Sequence, residues 1–214
     1  MMPIKICPGN LALLCLFALL IKAGFARAEP NPEDINAGKA LYQSCQACHG
    51  ESGQGNAQLQ SPVLAGQYAW YIRRQLEHFR SGLRGAGNPP GQQMAAVSRQ
   101  LAEKDIARLA AYIETLPGST AANTAPNTDN KNGYRYYQGK CGACHGSTGQ
   151  GNVLFNAPKL SGQQSGYLLA QMKHFSAGKR GADKKDKYGR QMAMMAKTVT
   201  RQQLGDIVNY LAGL

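Results

Sequence analysis

Acidic residues are scarce in this chain, and cysteine, tryptophan and long apolar runs are scarcer still. Twelve Asp and Glu stand against 24 Lys and Arg, for a formal net charge of +12 and a pI near 9.6. Six cysteines in 214 residues are too few for a disulfide-dense scaffold. The longest apolar run, Leu11–Ile21, has eleven residues, well short of the ~20 that cross a bilayer. No segment alternates as a half-buried strand would, which argues against a sheet-built fold. With 43% hydrophobic residues, the chain is nevertheless no disordered polymer. So basic a composition raises nucleic acid or an anionic membrane as partner, and the placement of the charge must decide.

The apolar run belongs to a leader. Lys5 precedes it, and Ala26-Arg27-Ala28 offers small residues where a signal peptidase reads. Residues 1–28 are expected to be a cleaved signal peptide, leaving a mature chain of 186 residues exported to an oxidising compartment. Cys7 and Cys15 leave with the leader, so Cys45, Cys48, Cys141 and Cys144 remain.

Those four lie in two motifs, Cys45-Gln46-Ala47-Cys48-His49 and Cys141-Gly142-Ala143-Cys144-His145, at an offset of 96. The repeat extends further. Pro62, Leu64, Gly66 and Gln67 recur as Pro158, Leu160, Gly162 and Gln163, and Tyr71, Gln75, His78, Phe79 and Arg84 as Tyr167, Gln171, His174, Phe175 and Arg180. Past a loop of different length the offset becomes 98, and Met94, Tyr112 and Leu116 map to Met192, Tyr210 and Leu214. The chain therefore reads as residues 29–118 and 133–214, two copies of one domain, joined by a Pro/Ser/Thr/Asn-rich linker over 119–132.

Ile106, Leu109, Ala110, Ile113 and Leu116 follow helical spacing, repeated by Leu204, Ile207, Val208, Leu211 and Leu214. Thr200 and Gln203 form a capping-box pair. Ile72, Leu76 and Phe79 mark one face of a middle helix. The fold class is all-α. Each unit is too small for an ample core, a difficulty that a large apolar cofactor at its centre would remove.

Cys-x-x-Cys-His is the attachment signature of c-type haem. Two thiols add to two vinyl groups of a rigid macrocycle, and the adjacent His lies beneath the ring to bind iron. Cys45, Cys48, Cys141 and Cys144 are thus the expected covalent anchors, with His49 and His145 as axial ligands of two haem c groups. A thioredoxin-like dithiol would need a strand-rich context. For the sixth ligand, Met94 and Met192 lead, standing at equivalent positions before the last helix of each copy. Ligation by His78 and His174 is the alternative, but helical spacing turns them away from the apolar stripe, His78 about 200° from Leu76. Met194 and Met195 are expected to pack rather than ligate. The Pro62 and Pro158 carbonyls, thirteen residues after their His, are candidates to orient the ligand imidazoles.

With these features, the sequence resembles the diheme cytochromes c4 over essentially the whole mature chain. The resemblance implies tandem class I cytochrome c domains, each a small helical fold wrapped around one covalent haem, related by a pseudo-twofold axis. It implies His–Met axial pairs, which map to His49 with Met94 and His145 with Met192. It also implies a periplasmic protein, often on the inner membrane, that passes electrons to a terminal oxidase. One departure is that Gly133 lies eight residues before Cys141, whereas Gly38 lies seven before Cys45. It leaves the register of the second copy's first helix open.

A non-enzymatic electron carrier of a respiratory chain is the function expected, with a quinol-oxidising complex as donor and a terminal oxidase as acceptor. A cytochrome subunit of a periplasmic dehydrogenase is the alternative. A diheme peroxidase would need an open iron and acid–base residues above it. Nucleic acid is excluded for an exported haem protein. The charge is polarised: residues 29–118 hold eight basic and eight acidic side chains, residues 133–214 twelve and three. The Lys184-Lys185-Asp186-Lys187 loop with Arg180, Arg190 and Lys197 is expected to steer the second domain toward an acidic redox partner or to hold it peripherally on anionic lipid.

Overall fold

A computed structural model describes residues 31–118 and 131–214. The expected signal peptide and most of the expected linker lie outside the described residues. From Pro32 to Leu214 the chain forms one unit that contains both copies of the repeat. The described residues are helical, with only the isolated bridges Asn56–Ser61 and Asn152–Ala157 in place of strands.

The first half runs α1 (Pro32–Tyr42), a 3₁₀ turn (Gln43–Cys45), α2 (Gln46–His49), α3 (Ala69–Ser81), α4 (Pro89–Arg99) and α5 (Glu103–Thr115). Proline opens α1, with Glu33 and Asp34 in its first turn, where the helix dipole favours negative charge. The second half repeats the order as α6 (Lys131–Tyr137), α7 (Ala143–His145), α8 (Ser165–Ser176), α9 (Lys187–Ala196) and α10 (Arg201–Ala212). Thr200 and Gln203 close both hydrogen bonds of the capping box that opens α10.

First and last helices of each half cross at a glycine. A side chain at Gly38 would collide with the Arg108 carbonyl, and one at Gly133 with the Asp206 carbonyl. From there the two entry helices keep step for four residues, to the buried Tyr42 and Tyr137. The extra residue of the second half is taken up beyond Tyr137, where a π turn (Gln138–Gly142) replaces the 3₁₀ turn. A π turn holds one residue more than the α-helical path, so the register left open by the sequence is the same in both halves.

The cores are thin and unequal. Among the described residues, Tyr42, Val63, Ala65, Ile72, Leu109, Ala110, Ile113 and Leu116 form the first cluster, whereas Tyr137, Ile207 and Leu211 are the buried members of the second. Leu116 and Leu214 both lie just past their helices. Leu116 is buried, and its carbonyl accepts from the Gly66 amide, while Leu214 is half exposed and breaks the expected equivalence.

The two halves meet by exchanging glutamines. Gln67 donates to the Lys159 carbonyl and accepts from the Lys159 amide, at 3.0 and 3.1 Å. Gln163 does the same to Val63, at 3.0 Å both ways. Each side-chain amide thus mimics a backbone strand neighbour for the other half. Arg84 and Arg180 add a second reciprocal set. Each donates to the glutamine of its own half and reaches over to the tyrosine and glutamine of the other: Arg84 to Gln75, Tyr167 and Gln171, Arg180 to Gln171, Tyr71 and Gln75.

Candidate functional site

A single continuous cavity of about 540 Å³ runs through both halves, and the two motifs and the two methionines line it. Its apolar walls include Ile72, Leu76, Phe79, Leu109 and Ile113 from the first half and Leu168, Phe175, Ile207 and Leu211 from the second.

Each motif His is held from behind. His49 and His145 are buried, and their Nδ1 atoms lie 3.0 and 2.9 Å from the Pro62 and Pro158 carbonyls. A carbonyl partner requires Nδ1 to donate, which leaves Nε2 unprotonated and free to bind a metal. Burial holds both imidazoles below the usual pKa, against the opposing pull of the proline carbonyls. A neutral ring is the form a metal requires.

The loop after each His is folded to keep that carbonyl in place. Gly50 and Gly146 take φ of +82° and +81°, which other residues resist, and the chain turns back sharply. The Tyr42 and Tyr137 hydroxyls, brought in by α1 and α6, donate to the carbonyls of these glycines at 2.8 and 2.7 Å. Gly55 and Gly151 amides close on the His49 and His145 carbonyls. The entry helices, the motif and the proline loop therefore act as one clamp.

No disulfide joins Cys45, Cys48, Cys141 or Cys144. Burial pushes Cys45 up and Cys141 to about 11. That is the reverse of a catalytic dithiol, whose nucleophile needs a lowered pKa. Among the described residues, no cluster of His, Cys, Asp and Glu could hold a bare metal ion.

Met94 and Met192 line the cavity from α4 and α9, each half buried. Asn88 and Asp186 cap those helices, accepting from Gly91 N and Gly189 N at 2.8 Å in both cases. Met195 borders the cavity but is partly exposed, and Met194 is 64% exposed, so the expectation that it packs in the interior is not met. His78 faces away from the cavity, as helical spacing predicts, yet it turns to Asp186 of the other half rather than to water. His174, also expected to face away, does border the cavity, because the cavity continues across the boundary that α8 helps to form.

The basic surface also differs from its expectation. Lys184, Lys185, Lys187, Arg190 and Lys197 are exposed, but Asp186 is buried and Arg180 is turned into the boundary between the halves. Sequence reading missed Arg74, which has no counterpart in the second half, where Ala170 stands. It stacks on Trp70 and Tyr188, donates to Asn156 and borders the cavity. Its Nε is buried without a partner. An orphaned guanidinium nitrogen beside an apolar cavity fits the carboxylates of a haem. So the walls, the paired thiols, the back-bonded imidazoles and the cationic edge all suit that group.

Comparison with known proteins agrees. The cytochrome c family model matches residues 35–117 and again 130–214. Cytochrome c4 of Azotobacter vinelandii is 31% identical over 219 residues, covering 96% of this chain and 99% of the relative. The thiosulfate dehydrogenase electron acceptor of Stutzerimonas stutzeri strain A1501 is 31% identical over 180 residues, 80% of this chain and 79% of the relative. The crystal structure of reduced recombinant cytochrome c4 from Pseudomonas stutzeri superposes with a TM-score of 0.71 at 30% identity, covering 84% of this chain and 98% of the other. With two tandem matches, two motifs and one duplicated helical fold, this chain belongs to the diheme cytochrome c4 family of cytochromes c and carries two covalently bound haem c groups.

Proposed function

We propose that this diheme electron carrier works in the periplasm of a respiring cell and delivers electrons to a terminal oxidase from a quinol-oxidising donor. In this reading residues 1–28 are removed on export, residues 29–118 and 133–214 are the two haem domains, and 119–132 link them. Cys45 and Cys48 anchor one haem and Cys141 and Cys144 the other. His49 with Met94 would hold one haem iron, and His145 with Met192 the other. Haem iron cycling between ferric and ferrous supplies the redox chemistry. The protein's residues fix the imidazoles through the Pro62 and Pro158 carbonyls, keep water out with the apolar walls, and balance the haem carboxylates with Arg74, Arg84 and Arg180.

The observation that carries the reading is that each half brings one back-bonded His and one Met to the same cavity. With a His and a Met on each haem iron no site would be left for a substrate, which favours outer-sphere transfer over peroxidase chemistry. A second reading, service to a dehydrogenase, is favoured by the relative named as a thiosulfate dehydrogenase electron acceptor.

Stopped-flow oxidation of the reduced holoprotein tests the proposal. Rapid turnover with a membrane oxidase, slowing steeply as salt rises, is expected if the exposed Lys184, Lys185 and Lys187 steer an acidic partner, since screening acts beyond ~8 Å at physiological ionic strength. Peroxide turnover at the rate of true peroxidases would overturn the carrier reading. Oxidation only by a co-purifying dehydrogenase complex would replace the oxidase with that partner.

A further inference from the structure

The two halves repeat each other closely, but the repeat changes charge at several pairs of equivalent cavity positions, Arg74 against Ala170 among them, and one such pair opens the methionine-bearing helices. Asn88 and Asp186 cap the methionine-bearing helices in the same way and both border the cavity. The first is a neutral amide and the second a buried carboxylate. One Asp186 oxygen is spent on the cap, and the other lies 3.8 Å from Nδ1 of His78, which reaches across from the first half. Among the described residues, the charged groups acting on His174, the counterpart of His78, are Lys179, Arg180, Arg84 and Lys173, all cationic.

We infer that Asp186 lowers the reduction potential of the second haem, and that His78 moderates its charge. The inference rests on the assignment of His145 and Met192 to the second haem. Reduction brings an electron into the cavity, and a fixed carboxylate on the wall opposes it in surroundings that screen poorly. Asn88 exerts no such opposition on the first haem. When His78 carries a proton, part of the Asp186 charge is cancelled, so the second haem becomes harder to reduce as pH rises through the titration of His78. The charged groups acting on His78 are Asp186, Arg74, Arg180 and Arg84. Burial, with the three arginines, holds His78 below its usual range against the pull of Asp186, so this dependence falls on the acid side of pH 6.5.

The test is a spectroelectrochemical titration of the holoprotein, each haem followed through its own methyl resonances by NMR. Asp186→Asn is expected to fold, because Asn88 already caps the same helix start in the first half. It should raise the second haem's potential and shift the electron distribution between the haems at half reduction about tenfold, the order expected on removing one charge from poorly screened surroundings. Asn88→Asp should lower the first haem's potential and shift the distribution the same way. His78→Gln should remove the acid-side pH dependence of the second haem. Unmoved potentials in both exchanges, a shift at the wrong haem in Asp186→Asn, or a pH dependence that survives His78→Gln would each overturn the inference. The ligand assignment is read separately: a wild-type protein without the thioether-to-iron absorption band would refute that assignment, whatever the variants do.

Discussion

The first half of this molecule balances its charge and builds the larger apolar cluster, whereas the second carries the surplus of positive charge on the smaller one. Yet the clamp around each motif is the same to about 0.1 Å in its two key contacts, the tyrosine hydroxyl to the glycine carbonyl and the imidazole to the proline carbonyl. What duplication has kept is the geometry that holds a cofactor. What has diverged is much of the charge: Asn88 against Asp186, Arg74 against Ala170, an exposed lysine loop on one side only. The difference separates the means of carrying an electron from the means of choosing its direction and partner.

The strongest way to break this comparison is at the methionines. Met94→Ala and Met192→Ala should each erase the thioether-to-iron band of one haem and lower its potential by tenths of a volt, within the ~0.8 V that axial ligation spans. Optical titration reads this directly, and a variant with both haems unchanged would remove that methionine from the ligand set. A smaller effect is expected at the boundary. Arg84→Ala and Arg180→Ala each strip charge-assisted hydrogen bonds to three side chains and should cost about 2 kcal/mol in guanidinium unfolding. Because both arginines share Gln75 and Gln171, the double variant should cost less than the two losses added. Additive losses would mean that the reciprocal network does not act as one unit. The smallest effect sharpens the likeness. Tyr42→Phe and Tyr137→Phe should each cost about 1 kcal/mol by removing one of the two donors to a glycine carbonyl, the Gly53 or Gly149 amide remaining. Equal losses in thermal unfolding would confirm that the clamp is a shared device, and unequal ones that the thinner second core alters it.

Much of the fold and site was legible because it is local. The motifs, the helical stripes ending at Ile113 and Leu211, the capping box at Thr200 and the proline carbonyls all follow from residues within about a dozen positions of one another. Arg180 was not legible. In sequence it sits beside a lysine-rich loop and reads as surface charge, but its partners Tyr71 and Gln75 are 109 and 105 residues away. His78 shows the same limit. Helical spacing gave the face it occupies but not the Asp186 that meets it, since periodicity tells a residue's side of its own helix and nothing of the opposite wall. Leu214 follows the repeat in pattern but lies beyond α10, where periodicity no longer governs burial.

The π turn at Gln138–Gly142 has a consequence for how the two halves could drift apart in length. One residue added to a regular α-helix would swing everything after it through about 100°, carrying Cys141 and Cys144 off the cavity wall. Stored as a wider loop of backbone between Tyr137 and Cys141, the added residue leaves the chain on either side in step, and at Gly139 even a side chain would meet nothing within 4 Å. The turn works as a slack link. It lets chain length vary at the threshold of the site while the covalent grip beyond it stays where it was.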